Sequence, residues 1–410
     1  MAKKNLKNVS ETKEWKIAEF DYAGLCVQNQ MPLLGERLSA KQIDKYMGEI
    51  LANRPVFFPA VFHRGRYLLS IGKDSQALKF YDRGFELLIE ILEGEELIDA
   101  VDNVIDGLEE LLRFDLCCRY LKNLIKLFPN KGLYYDYLAG DIIKSKKGSI
   151  SEAITLQKKA IELEPANATL IHNLGWIHLE AGNLEEAEIK MKKAIKLRPD
   201  YEAAVANMAV INYLKKKKNG GIFLDFLIRQ LDRKKLQQLE DEEKYDKLDA
   251  LCADYNASRM EAFKRTMLDE NNYHPHKIAN LVKTLHLFLS FADDVMNKTM
   301  FLYDELHEIG IDFKPIMHKF IFKHNDIDDE IFNDIYTSLT AFSGFLYQHK
   351  LQDKDECEEF VSEIEGMKSE LIEKMNRYNE VRHDYSISEE EKEIIREELF
   401  EGDHVFPHLW

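Results

Sequence analysis

The chain has 410 residues, of which 45% are apolar and 31% are charged, so it can form a folded core and is not a disordered chain. At about 150 residues per domain, this length predicts two or three domains. Its 9 prolines and 19 glycines are few for so long a chain, which favours long helices over collagen-like or many-turned all-β structures. The net charge of −17 argues against a general nucleic-acid-binding protein, which would need a basic surface.

The cysteines and the apolar stretches indicate in which cellular compartment the protein is expected. The five cysteines form no CxxC pair, and Cys117 and Cys118 are adjacent, which is a poor geometry for an ordinary disulfide. This pattern is typical of reduced thiols in a cytosol. The basic N-terminus has no apolar stretch behind it, so no secretory signal is expected. The most apolar stretch, 278–292, is shorter than the roughly 18 residues of a membrane span. We therefore expect a cytoplasmic, non-membrane protein.

Residues 1–57 are predicted to form a helical N-terminal cap. Ser39 is a candidate N-cap residue for a helix that runs to Leu51, because a serine hydroxyl can accept a hydrogen bond from a free N–H group at a helix start. Helical spacing places three apolar residues on one face of this helix: Ile43, Met47 and Ile50. Such a cap would cover one end of the repeats that follow, as terminal elements do in repeat proteins.

Two blocks of the sequence align at an offset of 34 residues. The first block has the anchors Gly148, Ala153, Ala160 and Pro165, which recur as Gly182, Ala187, Ala194 and Pro199. Leu174-Gly175 precedes the second block. In this order the pattern resembles the tetratricopeptide repeat (TPR) family, whose helix pairs stack into a solenoid. The resemblance places the best-defined repeat at residues 168–201.

The anchors also make physical sense in this interpretation. Gly175 and Ala187 are small enough to let the two helices of one repeat approach closely, Gly182 serves the turn between them, and Pro199 ends the second helix. On the N-terminal side of this repeat, further copies are predicted at 58–91, 92–133 and 134–167, of which 92–133 matches the pattern poorly. On its C-terminal side, another first helix is predicted after residue 201. Three or more repeats are enough to stack. We therefore predict an all-α fold with a TPR-like helical solenoid over residues 58–221.

The rest of the chain is also predicted to be helical. Residues 222–274 contain neither glycine nor proline and are expected to form one or two long connecting helices, with a break near the charged run 240–244. Residues 275–410 are expected to form a C-terminal helical bundle with an acidic outer helix and an aromatic tail. Apolar residues at helical spacing mark three helices of this bundle: Ile278, Leu281, Leu285, Phe288 and Phe291; Phe332, Ile335, Leu339, Phe342 and Leu346; Phe360, Ile364, Met367, Leu371 and Tyr378.

The negative charge is concentrated near the end of the sequence. Residues 351–401 contain 18 acidic and 7 basic side chains, a net charge of −11 out of −17 for the chain. This segment includes the predicted outer helix, so the charge is expected on a solvated helix face. Trp410, in the aromatic tail, is expected to dock onto an apolar surface.

Candidate binding residues follow from the resemblance, because in this family the first helix of each repeat lines a concave groove. Carried over by repeat position, the groove residues of 168–201 are Thr169, His172, Asn173, Trp176 and Leu179, and the neighbouring repeats add Asn207, Tyr213, His63 and Arg66. An asparagine amide can both donate to and accept from a peptide backbone, and a tryptophan offers a large anchoring area. The alternative stays open that Asn173 is only repeat consensus and that Trp176 packs against a neighbouring helix.

These features predict a protein-protein interaction scaffold or adaptor that binds a partner peptide or helix in the groove. The sequence contains no Gly-rich phosphate loop, no nucleophile elbow and no evident set of three metal ligands, so no catalytic residue, metal or cofactor is predicted. Nucleic acid and membrane are not expected as partners. The alternative function is that 275–410 is a ligand-binding or enzymatic module delivered by the repeats, with a pocket around His286, Asp293, Asp294 and His318.

Overall fold

The computed structural model of the chain is helical throughout the part that it describes. The described residues are 9–30, 39–146, 148–217, 221–270, 273–296, 301–323, 329–382 and 384–400. Within these ranges there are twenty α-helices and no β-strand, which confirms the predicted all-α fold class.

Contacts between residues divide the chain into two compact units. The repeat unit comprises Met1–Lys215 with His274–Ala279, and the C-terminal unit comprises Lys216–Tyr273 with Asn280–Trp410. None of the described helices combines the length and the apolar character that crossing a lipid bilayer requires.

The repeat unit begins with a short 3-10 turn, Val9–Glu11, and two helices, α1 (Lys13–Gln30) and α2 (Ala40–Asn53). The predicted N-cap of α2 is confirmed: the Ser39 hydroxyl accepts from the Gln42 N–H at 3.3 Å, and the Gln42 Oε1 accepts from the Ser39 N–H at 2.8 Å. This reciprocal pair satisfies two N–H groups at the helix start. The predicted apolar face of α2 is buried and packs in a cluster with Trp15, Phe57 and Val61.

Helix pairs joined by short turns make up the rest of the repeat unit. The pairs are α3 (Phe58–Ser70) with α4 (Asp74–Ile91), α5 (Gly94–Glu110) with α6 (Phe114–Leu127), α7 (Gly132–Ser145) with α8 (Ile150–Leu163), and α9 (Ala168–Glu180) with α10 (Leu184–Leu197), followed by α11 (Glu202–Lys215). The segment 92–133, degenerate in sequence, therefore folds as a complete pair. One apolar core runs from α3 to α9, with members such as Phe62, Tyr81, Val101, Leu121, Leu138 and Ile177.

The predicted close approach of α9 and α10 is confirmed at Gly175. A Cβ atom at this position would lie 3.0 Å from the Met191 Cε and 3.3 Å from the Ala187 carbonyl oxygen, tighter than normal packing allows. Gly182 has a φ of +74°, so it is the left-handed turn residue that the anchor pattern predicts. The repeats therefore use glycine for both purposes, close packing and the turn.

The turn between α7 and α8 differs from the one that the repeat pattern predicts. By the 34-residue offset, Gly148 corresponds to Gly182, yet the left-handed residue of this turn is Lys146, with a φ of 51°. Gly148 is needed for space instead, because a Cβ there would lie 2.7 Å from the Ile142 Cγ2. Gly148 thus permits close packing against Ile142, and Lys146 adopts the left-handed backbone conformation that glycine favours.

The remaining helices complete the chain. They are α12 (Phe223–Leu227), α13 (Arg233–Asp241), α14 (Tyr245–Glu270), α15 (Pro275–Met296), α16 (Leu306–Ile311), α17 (Phe313–Lys323), α18 (Asp329–Gln348), α19 (Lys354–Arg382) and α20 (Glu389–Leu399). The break predicted near 240–244 is confirmed, since the chain turns between α13 and α14 with Glu243 at a φ of 53°. The connecting segment nevertheless holds three helices, because the chain also turns between α12 and α13.

The apolar stripes predicted for the C-terminal helices are largely buried. All five stripe residues of α18 are buried, as are four of the five on α15 and four of the five on α19, where Met367 is half-buried. This agreement supports the helical periodicity from which the elements were predicted. The tail with Trp410, whose docking was predicted, lies outside the described residues.

A buried arginine fixes the start of the C-terminal unit. Arg259 on α14 is fully buried, and its guanidinium donates to the carbonyl oxygens of Leu227, at 2.6 Å, and of Arg229. Its Nε donates to the Asp304 carboxylate at 3.1 Å. The Tyr255 hydroxyl also donates to Asp304, at 2.8 Å. The arginine thus satisfies the carbonyl of Leu227, the last residue of α12, and that of Arg229 just beyond the helix.

Candidate functional site

The first helices α3 and α5, α7 and α9, and α9 and α11 contact one another, and the ion pair of Glu109 with Lys144 joins α5 to α7. We call the surface of these five first helices the inner surface. On α9, eight residues are buried against neighbouring helices. Beyond Ala168 at the helix start, the residues that keep partial exposure are Thr169, Asn173, Trp176 and Glu180. Their spacing of 4, 3 and 4 places them on one face. Three of the predicted groove residues therefore share the accessible strip of α9, whereas Leu179 is fully buried and does not line a groove.

Asn173 is held by a buried carboxylate. Its Nδ2 donates to both oxygens of Asp136 on α7, at 2.9 and 3.1 Å. Gln157 on α8 donates to the same carboxylate and to the Leu170 carbonyl oxygen, the latter at 3.1 Å. Burial raises the pKa of Asp136, and the hydrogen bonds from Asn173 and Gln157 oppose this rise. The amide predicted to meet a peptide is therefore also part of the packing of three helices.

His172 continues this network toward α11. Its Nδ1 lies 3.0 Å from the Asn173 Oδ1, and its Nε2 lies 3.0 Å from the Asn207 Nδ2. An amide nitrogen only donates, so the pattern assigns a neutral imidazole with the proton on Nδ1. Burial lowers the pKa of His172, which favours the same neutral form. The predicted groove residues His172, Asn173 and Asn207 are thus brought together, with His172 buried behind the other two.

Trp176 has two roles in the structure. It is half-buried and packs against the apolar core that runs from α3 to α9, which agrees with the alternative that it contacts neighbouring helices. It also keeps exposed area on the α9 strip, next to Thr169 and Asn173 along one face. A half-exposed tryptophan in a packed setting has its rotamer restricted before any partner arrives.

The remaining predicted groove residues lie farther along the inner surface. Tyr213 on α11 is half-buried, and His63 on α3 is half-buried with its ring 6.0 Å from that of Tyr22. Burial and the nearby Arg66 lower the pKa of His63. Arg66 is exposed and forms an ion pair with Glu110 of α5. His63 and Arg66 lie on α3, whereas His172 lies on α9, so the prediction covers two separate parts of one surface.

Several acidic residues of the inner surface were not predicted. Asp102 on α5 is half-buried, and burial and then the neighbouring Asp106 raise its pKa, while a hydrogen bond with Tyr137 of α7 opposes this. The Asp102 Oδ1 is buried and has no hydrogen-bond partner among the described residues. Asp136 and Asp141 are the two acidic residues in a stretch of α7 that is rich in apolar and aromatic residues, and this was the sequence signal that could have identified them.

Asp141 forms a charge cluster with Lys144 and Glu109, in which only the Asp141 side chain is fully buried. Its carboxyl is fully buried, with the Lys144 Nζ 3.6 Å from its Oδ1, and the same Nζ lies 2.7 Å from the Glu109 Oε2. Burial and the negative charge of Glu109 raise the pKa of Asp141 to about 8, although Lys144 acts in the opposite direction. The cluster joins α5 to α7 behind the inner surface.

The residues named for the alternative function differ in their exposure to solvent. His286, Asp293 and Asp294 on α15 are exposed, whereas His318 on α17 is buried with its ring 5.3 Å from that of Phe400. Across the part of the chain that the structure describes, no three His, Cys, Asp or Glu side chains converge as a metal site would require.

A family model agrees with the repeat at the centre of this unit. The tetratricopeptide repeat family model matches residues 168–201, the same 34 residues that the anchor pattern indicates, and this confirms the predicted resemblance. No curated protein matches the chain in sequence. Among solved structures the chain is similar to YrrB, a TPR protein with an unusual peptide-binding site, at 16% identity and a TM-score of 0.32 over 48% of this chain and 98% of that one. It is also similar to the TPR domain of P58(IPK), at 12% identity and a TM-score of 0.21 over 86% and 98% of the two chains.

Proposed function

We propose that the repeat unit is a protein-protein interaction scaffold whose inner surface binds a peptide or helix of a partner protein. The observation that carries this proposal is the accessible strip of α9. Thr169, Asn173 and Trp176 remain partly exposed on one face of a helix that is otherwise buried. A strip that combines a hydroxyl, an amide and an aromatic ring offers both hydrogen bonds and anchoring area to a bound segment.

The polar network supports binding by a preorganised surface. Asp136, His172 and Asn207 hold the polar groups around Asn173 through hydrogen bonds of about 3 Å. Side chains that are already ordered lose little rotamer entropy when a partner binds. The network therefore contributes to affinity by positioning, even where its groups do not contact the partner directly.

The α5 part of the inner surface supports a partner that brings hydrogen-bond donors. The Asp102 Oδ1 is buried without a hydrogen-bond partner among the described residues, and such an atom is costly to leave unsatisfied. Asp99, Asp102 and Asp106 recur at helical spacing on one face of α5. A basic side chain of a bound segment would pair with the exposed carboxylates of Asp99 and Asp106, on either side of Asp102. We infer that the partner segment is neutral or basic where it crosses α5.

The test uses two substitutions that obstruct the strip and leave the core intact. Thr169→Arg and Glu180→Arg add bulk and positive charge at partly exposed positions of α9. Proteins captured from a cell extract by the wild-type chain are identified by mass spectrometry, and we expect the double variant to lose them. A matched control is Ile189→Arg on α10, an exposed apolar residue that is not on a first helix. Circular dichroism verifies that all three proteins are folded.

The strip variant and the Ile189→Arg control together decide whether the inner surface is the binding site. Loss of partners from the strip variant but not from the Ile189→Arg control supports the inner surface as the binding site. If the strip variant retains the partners of the wild-type chain, the proposal is wrong. Trp176→Ala then measures how much the aromatic anchor contributes, with its thermal melting recorded because Trp176 also packs on the core.

A further inference from the structure

A small cavity lies between α19 and α20 in the C-terminal unit, and we call it the α19–α20 pocket. It has a volume of about 80 Å³, several times the space that one water molecule needs but well below that of a pocket for a drug-sized ligand. Six residues line it, of which three are cationic: Tyr378, Val381, Arg382, Glu389, Lys392 and Arg396. The size of the pocket therefore fits a small ion.

The cations of the pocket contrast with the charge of the segment around them. Residues 351–401 contain 18 acidic side chains and 7 basic ones. Three of those basic side chains line the α19–α20 pocket, whereas only one acidic side chain, that of Glu389, does so. The lining thus carries a net positive charge within a strongly negative segment. An anion would find in the pocket a local attraction that the rest of this segment does not offer.

Burial distinguishes these cations from ordinary surface charges. The side chain of Lys392 is 11% exposed and that of Arg396 is 26% exposed. Tyr378 is buried, with the Arg382 guanidinium carbon 5.5 Å from the centre of its ring. Burial raises the pKa of Tyr378, and the nearby Arg382 and Arg396 oppose this rise. Positive charges that are partly removed from water attract an anion more strongly than those of fully exposed side chains do.

Two of the cations pair with carboxylates that reach into solvent. The Lys392 Nζ lies 2.9 Å from the Glu389 Oε1, and Arg396 pairs with Glu393. Glu389 is 81% exposed and Glu393 is 54% exposed, so water can solvate both once they are released, and such ion pairs contribute little stability. The Lys392 Nζ also donates to the Arg382 carbonyl oxygen at 3.5 Å. An anion in the pocket can therefore replace either carboxylate without leaving a buried charge unpaired.

We propose that the α19–α20 pocket binds a phosphate group. Arginine presents paired N–H donors that match two oxygens of a phosphate, and lysine adds a compact positive charge. Arg382, Arg396 and Lys392 supply both kinds of donor around one cavity. The same chemistry applies to free phosphate and to the terminal group of a small phosphorylated molecule. The inference goes beyond the proposed function, because it concerns the C-terminal unit and a small anion.

The experiment titrates inorganic phosphate with the full chain at constant ionic strength and follows binding by phosphorus NMR. We expect saturable binding with a Kd of about 1 mM or below. Arg382→Gln should weaken binding by about tenfold, because it removes one charge-assisted contact. The matched control is Arg377→Gln, which removes the same charge from an exposed position of α19 and should bind phosphate as the wild type does. Circular dichroism verifies that each variant is folded.

A second variant should strengthen binding, so that the test does not depend on a loss alone. Glu389→Gln removes the exposed carboxylate that pairs with Lys392, and we expect the affinity for phosphate to rise by about twofold to fivefold. The control is Glu390→Gln, the exposed neighbour that does not line the pocket, and it should have a smaller effect.

Phosphoserine with blocked backbone ends distinguishes the two sources of the phosphate group. Tighter binding than that of inorganic phosphate supports a small phosphorylated molecule as the ligand, and weaker binding supports free phosphate. Absence of saturable phosphate binding below about 10 mM overturns the proposal. Equal affinities of the wild-type and Arg382→Gln chains, or of the wild-type and Glu389→Gln chains, would also overturn it, since the phosphate would then bind elsewhere.

Discussion

The Asn173 Nδ2 lies 2.9 Å from the Asp136 Oδ1, across the contact between the first helices α9 and α7. This bond joins a residue on the accessible strip to a carboxylate that is buried behind it. Because the carboxylate accepts from both Asn173 and Gln157, its charge is compensated by hydrogen bonds from two other helices. The inner surface and the packing of the solenoid therefore depend on the same side chains.

Removing the amide of Asn173 should destabilise the repeat unit. Asn173→Ala leaves the buried Asp136 with fewer donors, and we expect the free energy of unfolding to fall by about 1–3 kcal/mol. The measurement is urea denaturation followed by tryptophan fluorescence, since Trp176 lies on the same helix. Asn123→Ala, an exposed asparagine of α6, serves as the control and should change stability by no more than about 0.5 kcal/mol. Equal effects of the two substitutions would show that the Asp136 bond adds no stability.

The repeated helix pairs could be predicted from the sequence. Contacts between side chains that lie far apart in the sequence could not. The 34-residue anchors specify the α9–α10 pair, because Gly175 and Gly182 are required by packing and by the turn. Nothing local in the sequence shows that Asn173 meets Asp136, 37 residues earlier.

The buried Asp141 should make stability depend on pH. Its pKa in the folded state is raised to about 8, above that of the unfolded chain, so the folded state holds the proton more tightly. Its contribution to stability is therefore fully present below about pH 4 and is lost as the pH rises through about 8, with a slope of at most about 1.4 kcal/mol per pH unit. Asp141→Asn, which stays neutral, should be more stable than the wild type at pH 9.

The comparison that isolates Asp141 is the difference in free energy of unfolding between wild type and Asp141→Asn from pH 4 to pH 9. We expect this difference to grow with pH. Glu109→Gln should move the change to lower pH, because the negative charge of Glu109 is one cause of the raised pKa of Asp141. A difference that stays constant across this range would contradict the proposed protonation of Asp141 in the fold.

Arg259 should be the most sensitive charged residue of the C-terminal unit. Arg259→Met would leave the Leu227 and Arg229 carbonyls and the Asp304 carboxylate without this donor in a buried setting, and we expect a loss of about 3–5 kcal/mol. Hydrogen exchange measured by mass spectrometry should show lost protection in α12 and α14. The control is Arg377→Met on the exposed face of α19, expected to change stability by about 0.5 kcal/mol or less. Similar losses in both variants would mean that the buried bonds of Arg259 are not specifically stabilising.

Lys146 offers a substitution that should stabilise the protein. Its φ of 51° lies in the left-handed region, where a residue with a Cβ is strained and glycine is not. Lys146→Gly relieves this strain but also gives the unfolded chain more freedom, so the expected net gain is about 0.5–1 kcal/mol. The same change at Lys158, an exposed position inside α8, should instead cost about 1 kcal/mol, because glycine weakens a helix interior. Thermal melting of the two variants measures both effects, and a destabilised Lys146→Gly would show that the lysine side chain contributes more to this turn than its backbone strain costs.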